Sequence, residues 1–183
     1  MTDPETTAVE GEVAPAPEPS LTFDDATVAA LPATEILGET TLHAPREALR
    51  DVVAALRDEG WLMCLDVTAV DHLTMPPAAR SLPEGVAPER FEVVVLLISH
   101  TQRARLRIKT QVPADDPQVP SLFEVHPGTE ALEREVFDMF GITFDGHPDL
   151  TRILMPEDWD GHPLRKDFAV GRIPVQFKAP EAR

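Results

Sequence analysis

The residues best equipped for chemistry lie between Gly146 and Asp167, in GHPDLTRILMPEDWDGHPLRKD. Gly-His-Pro occurs twice, as Gly146-His147-Pro148 and Gly161-His162-Pro163, with Asp149, Glu157, Asp158 and Asp160 around or between the two copies. Imidazoles and carboxylates are zinc ligands, and His126, His147 and His162 could converge with Asp149 or Asp158 as a fourth ligand. Against this, no two of the six histidines show the i, i+4 spacing of a helical His-Glu-x-x-His site. Each histidine of the pair also stands between a glycine, which permits an unusual backbone turn, and a proline, which forces the preceding residue into extended conformation. That combination predicts two sharp chain bends with histidines hydrogen-bonded to backbone.

Other reactive side chains are weaker. Cys64 lies among Trp61, Leu62, Met63 and Leu65, where a thiol lacks the base or helix N-terminus that would lower its pKa. Arg103, Arg105, Arg107 and Lys109 alternate with Ala104, Leu106 and Ile108, so they form the polar face of a half-buried strand, solvated or paired with carboxylates. In EREVFD, Glu133, Arg134, Glu135 and Asp138 read as a charged helix face that caps, pairs or docks, with Glu130–Arg134 and Arg134–Asp138 as i, i+4 pairs. No phosphate loop, dinucleotide fingerprint or nucleophile elbow is present. The net charge of −16, from 32 acidic and 16 basic residues, argues against nucleic-acid binding. One cysteine excludes an intrachain disulfide and any Cys-based cluster built from this chain alone.

The elements that must position these residues follow from periodicity. Residues 1–20, with five acids, four prolines and no base, read as a disordered tail. Pro45–Glu59 is a helix with Leu49, Val52, Val53 and Leu56 on one face and Gly60 as its stop. WLMCLDVTAVD reads as a strand, Thr74–Glu89 as a long proline-rich loop, and RFEVVVLLISH with RARLRIKTQV as an antiparallel pair. EALEREVFDMF is a second helix, capped by Thr129 and ended by Gly141, with Leu132, Val136, Met139 and Phe140 on one face; Ser121 can cap a short turn before it. The expected fold is α/β (α+β), a two-layer domain with helices on one face of a small mixed sheet over 21–141. An extended docking arm is expected over 142–183. The longest aliphatic run, Val93–Ile98, is too short to cross a bilayer, so membrane association is expected through partners only.

Glu133–Phe168 resembles the signature region of one peripheral subunit of proton-translocating NADH–quinone oxidoreductase, respiratory complex I: the family of the mitochondrial 30 kDa subunit and its bacterial counterparts. Glu133, Arg134, Glu135, Asp138, Gly141, both Gly-His-Pro units, Asp149, Arg152 and Leu164-Arg165-Lys166-Asp167 carry the likeness. A weaker similarity extends over most of residues 45–170. Thr151 stands where the family usually has a basic residue, and His126 and Ala131 where it often has tryptophans.

The resemblance implies a structural subunit of the peripheral arm, on the cytoplasmic face of the cell membrane, with no catalytic, cofactor-binding or metal-binding residue of its own. The complex uses NADH, FMN, iron–sulfur clusters and quinone. The partners it implies are the large subunit shaping the quinone cavity and the adjacent iron–sulfur subunits, along which the arm lies. Arg165→Ala or Asp167→Ala is then expected to leave the domain folded and impair assembly. Alternatives are the equivalent subunit of a membrane-bound hydrogenase or related oxidoreductase, told apart by neighbouring genes, and a stand-alone His/Asp metalloenzyme, told apart by bound metal.

Overall fold

A computed structural model describes residues 21–36 and 38–169. The expected tail over 1–20 and the chain from 170 onward lie outside the described residues.

The first elements escaped the sequence reading. Helix α1 (Ala26–Ala29) is one turn, capped by Asp25, whose Oδ1 accepts from the Thr27 and Val28 N–H groups at 2.8 and 3.1 Å. Strands β1 (Ala33–Ile36) and β2 (Glu39–His43) form an antiparallel hairpin. Helix α2 (Leu49–Asp58) is entered through a 3-10 turn, Arg46–Ala48, after Pro45. It ends at Gly60, where φ is +95°. The Gly60 N–H bonds Arg57 O and the Trp61 N–H bonds Leu56 O, both at 3.0 Å, closing a Schellman stop that sends Trp61 into the core.

Strands β3 (Met63–Asp71), β4 (Phe91–Ser99) and β5 (Ala104–Val112) complete a five-stranded mixed sheet of order β1-β2-β5-β4-β3. Neighbours run antiparallel except β2 and β5, which are parallel. One face of the sheet, with Leu42, Val67, Phe91, Val93, Val95, Leu97, Leu106 and Ile108, buries against Leu49, Val52, Val53 and Leu56 of α2. The same core takes Val136, Met139 and Phe140 of α3 (Glu130–Phe140). Burying each such side chain is worth about 1.5–3 kcal/mol. This is the two-layer arrangement expected, with α3 packed along edge strand β3.

Two short strands, β6 (Gln118–Pro120) and β7 (Thr143–Asp145), pair in parallel as a separate small sheet that touches both α2 and α3. Ile142 and Phe144 are buried. The chain just after Gly141 is therefore part of the domain core, not of the arm, a difference the sequence hides because the buried side chains precede and occupy the middle of a strand too short to show a period. The arm proper begins near Gly146.

The opposite sheet face carries the cation row. Lys109 pairs with Glu92 at 2.9 Å and Arg107 with Glu39 at 3.0 Å, while Arg103 sits in the β4–β5 turn at φ +52°. Glu92 is 3% exposed and also accepts from Gln111 Nε2 at 2.6 Å, with Arg80 and His72 each 3.8 Å away. Beyond this cluster, at β3, the last strand of the sheet, Leu62, Met63, Leu65 and Val70 are exposed. Exposed apolar side chains grouped on one surface invite coverage by another chain.

Candidate functional site: the arm on the last helix

Two carboxylates of α3 organise the region, and both are 0% exposed. Glu133 accepts the Ser121 hydroxyl at 2.6 Å, the Leu122 N–H at 2.8 Å and the Thr129 hydroxyl at 2.8 Å. Thr129 thus serves Glu133 instead of capping a helix N–H, and α3 starts from a 3-10 turn, Pro127–Thr129. Asp138 Oδ2 accepts three successive N–H groups, from Ile153, Leu154 and Met155, at 3.1, 2.8 and 2.8 Å. Its Oδ1 takes Arg152 Nη1 at 2.5 Å. The charged helix face read from the sequence is therefore wrong for these two residues. The Arg134–Asp138 pair does not form, because Asp138 turns inward to Arg152. Arg134 instead pairs with Glu130 at 3.6 Å and donates to Thr151 O, Thr151 Oγ1 and Arg152 O.

The rest of the signature closes the C-terminal end of α3, where helix carbonyls lack intrahelical donors and favour nearby cations. His162 Nδ1 donates to Asp138 O at 2.9 Å, the Leu164 N–H to Met139 O at 3.0 Å, and Arg165 to Phe140 O and Gly141 O. Arg152 Nη2 spans to Trp159 O and Gly161 O, which holds the arm's loop in shape. His147 Nδ1 accepts the Asp149 N–H, so its Nε2 is the donor to Glu130 O, at 3.0 Å. Gly146 and Gly161 take φ of +84° and +88°, making the two bends that carry these histidines. Burial first, then the Arg165 and Arg152 charges, lowers the pKa of His162, so near neutral pH it is an uncharged donor.

Past Leu164 the arm reaches β3. The Lys166 N–H bonds Asp71 Oδ2 at 2.9 Å, and Arg90 bridges Asp71 and Asp167, each at 2.8 Å. Arg90 and Arg165 stack on the Phe91 ring at 4.8 and 5.3 Å. Arg165 and Asp167 therefore hold the arm to its own domain, and their substitution acts on that attachment before it acts on any partner.

Gly141 sits at the centre, at φ +71°. A Cβ there would lie 2.5 Å from both His162 Nε2 and Arg165 Nη2. Gly141→Ala is expected to cost about 1–3 kcal/mol from left-handed strain plus displaced arm side chains. It should show as faster tryptic cleavage at Arg152 and Arg165, against an unchanged far-UV spectrum.

The same geometry sets an acid limit. Burial opposes ionisation of Asp138, but the N–H groups of Met155 and Leu154, the Arg152 guanidinium and the Ile153 N–H outweigh it, and the carboxyl titrates below its usual 3.8. Asp71 is lowered as well, with burial outweighed by Arg90 and the Lys166 and Leu73 N–H groups. For depressed carboxyls the stabilisation is complete above the unfolded-state value and is lost as pH falls through the folded-state value. The arm is expected to stay attached at pH 5 and to loosen only as the pH falls below the ordinary carboxylate value of 3.8. Trp159 fluorescence followed through an acid titration would report it.

Cys64 is half-buried, and burial followed by the nearby Asp66 and Glu133 charges pushes its thiol up to about 12 despite a bond to Asp66 O. It is expected to resist iodoacetamide at pH 8 until the chain is unfolded, as mass spectrometry would show.

The structure does not bring His126, His147 and His162 together as a ligand set. His126 is buried near Arg57, and the other two are committed to backbone at opposite ends of α3. Among the described residues no group of three or more His, Cys, Asp or Glu could hold a metal ion. Among those residues, too, no helix is long and apolar enough to cross a membrane. A cleft of about 400 Å³ lies elsewhere, between His43, Arg46, Val86 and Lys109, and no signature residue lines it. Sequence reading missed Glu92, whose only signal was a carboxylate inside the apolar run of β4, and His43, which ends a short strand without a readable period.

Fold and site together define a class: a small α/β domain whose reactive-looking motif is the lock between its last helix and a trailing arm. Residues 42–173 match the family described as respiratory-chain NADH dehydrogenase, 30 Kd subunit, and the chain belongs to that family. A relative from Saccharopolyspora erythraea, named as an NADH-quinone oxidoreductase subunit, is 46% identical over 147 residues, 79% of this chain and 55% of the relative. Its namesake from Nocardia farcinica is 47% identical over 144 residues, 77% of this chain and 53% of the relative. The chain spans about half the length of these curated relatives. Among solved structures, a trypsin-resistant fragment (1-134) of Nqo5 matches with TM-score 0.58 at 33% identity, over 66% of this chain and 89% of that one. A chain of the archaeal membrane-bound sulfane sulfur reductase, a respiratory membrane complex, shares the fold at TM-score 0.61 and 22% identity, over 82% of this chain and 89% of that one.

Proposed function

We propose that the chain is a non-catalytic, cofactor-free structural subunit of the peripheral arm of proton-translocating NADH–quinone oxidoreductase, on the cytoplasmic face of the membrane. In this reading it joins the large subunit that shapes the quinone cavity to the adjacent iron–sulfur subunits. NADH, FMN, the clusters and quinone belong to those partners. The observation that carries the reading is the fate of the signature: Asp138, Arg152, His162 and Arg165 are spent on shaping and holding the arm. An arm anchored to its own domain and exposed apolar side chains at β3 are what a docking subunit needs. Family membership favours the NADH–quinone enzyme over other complexes that share the fold. Affinity purification from membranes through a tag on this chain tests it. The expected result is a complex containing flavin and iron–sulfur subunits with NADH–quinone reductase activity. Recovery of the chain with a nickel-site large subunit, or alone with stoichiometric metal, contradicts it.

A further inference from the structure

The proline-rich connection from Thr74 to Glu89 is held to the domain mainly by one side chain. None of its residues is buried as a whole, and its main-chain hydrogen bonds, Met75 N–H to His72 O and Val86 N–H to Pro83 O among them, are local. Arg80 alone reaches deep. Its side chain is 5% exposed, donates to Glu89 O at 2.6 Å and to Gln111 Oε1, and lies 3.8 Å from the Glu92 carboxylate. Glu92 already serves Lys109 and Gln111, so two cations share one buried carboxylate. Glu89 also draws on Arg80 but forms no ion pair with it among the described residues. Arg80 Nε is buried without a hydrogen-bond partner there. His72 stands at the foot of the loop, with its N–H on Arg90 O at 2.8 Å. Its Nε2 is likewise buried and unpartnered, 3.8 Å from Glu92. The imidazole faces Glu92 of β4, Lys109 of β5 and Arg80 of the loop, while its neighbour Asp71 is paired with Arg90.

We propose that residues 74–89 form a proton-released strap, latched by Arg80 over Glu92 and unlatched when His72 becomes charged. A third cation on one buried carboxylate is left poorly compensated, and the loop has little else to hold it. Glu92 stays ionised through the change: burial opposes its charge, but Lys109 and Gln111 outweigh burial and hold it below the usual 4.5. Burial first, then Arg80, opposes charging of His72; Glu92 favours it, and the balance keeps the imidazole below its usual 6.5. With the strap open, Arg80 is gone and His72 meets water. Protons therefore bind the open form more tightly, and each step in pH below 6.5 favours opening until His72 charges in the closed form too. The strap supplies Gly85, Val86, Ala87 and Glu89 to one wall of the cleft of about 400 Å³, so its release opens that cleft onto Lys109 and Gln111.

Hydrogen exchange on the full chain, expressed as protection factors so that the intrinsic pH dependence drops out, tests the strap. Peptides covering 74–90 should lose protection between pH 7.5 and pH 5.5 by up to about tenfold, the ceiling for one group that charges only in the open form. The Glu89 N–H, which bonds Gln111 Oε1 at 3.2 Å in the latched form, should lead. Peptides of β5 and the Ile153 and Leu154 amides should keep their protection. His72→Gln, which cannot charge, should hold the strap equally at both pH values. Arg80→Gln should leave it open at both, with an unchanged circular dichroism spectrum. The His72 imidazole, followed by NMR, should titrate closer to 6.5 in Arg80→Gln than in the wild type, a readout independent of whether His72→Gln folds. Equal protection of the wild type at both pH values overturns the inference, as does a pH response that survives in His72→Gln. Wild-type protection in Arg80→Gln, or an unmoved His72 titration, overturns it as well.

Discussion

Asp138→Asn should release the arm from α3 while leaving the α/β core intact. The carboxylate is fully buried and receives four donors: three adjacent N–H groups and a guanidinium whose side chain is 16% exposed. The amide keeps the size but removes the charge and turns an NH2 toward one set of donors. Arg152 is left as a poorly compensated, nearly buried cation. Breaking one partner of such a pair costs about 3–5 kcal/mol. Because every 1.4 kcal/mol is tenfold, protection of the Ile153, Leu154 and Met155 amides should fall by about a hundredfold or more in hydrogen exchange. Core strands β4 and β5 should stay protected. Unchanged protection at those three amides would mean that Arg152 and the loop hold themselves, and that Asp138 is not the anchor.

Glu133→Gln should weaken the other end of α3. Glu133 joins Ser121, Leu122 and Thr129, so one carboxylate fixes the crossing from β6 to the helix. Hydrogen bonds to a charged acceptor are worth about 1.5–3 kcal/mol each, and a buried donor left unpaired costs about 1–3 kcal/mol. The two hydroxyls can rotate to other acceptors, but the Leu122 N–H is fixed by the backbone. A net loss of about 3 kcal/mol is expected, which for a domain of this size lowers Tm by about 6–12 °C. Glu133→Ala should lose more, because it adds a cavity beneath Leu122. A Tm for Glu133→Gln within about 1 °C of wild type would show that Ser121 and Thr129 find partners without it. Arm protection should survive in this variant, since Asp138 and its donors are untouched.

These expectations also mark what could be read from sequence. The α2 face, its Gly60 stop, the long strands and their antiparallel pairing were legible, because apolar spacing and turn residues agree locally. The hairpin β1–β2 and the parallel pairing of β2 with β5 were not, since a four-residue strand has almost no period and the pairing depends on contacts across more than sixty residues. Glu133 and Asp138 looked like surface charges because helix periodicity sorts residues by type, and it cannot foresee that a later segment will cover a polar stripe. The arm does that, and its own donors make burial tolerable. Gly146 and Gly161 were readable as bends from their Pro neighbours, but what the bends deliver, two imidazoles to opposite ends of one helix, required the fold.

The central claim, that the chain serves NADH–quinone reductase as an assembled part held by its arm, is tested most directly in membranes. Cells lacking the gene would be complemented with wild type or Asp138→Asn, and membranes resolved on a native gel stained for NADH–quinone reductase activity. The predicted result is that the wild-type chain co-migrates with the active band, and that Asp138→Asn runs free while the band's activity falls by about tenfold or more, given the size of the anchoring loss. Full activity in the band without the chain, or quinone reduction by the purified chain alone, would contradict it.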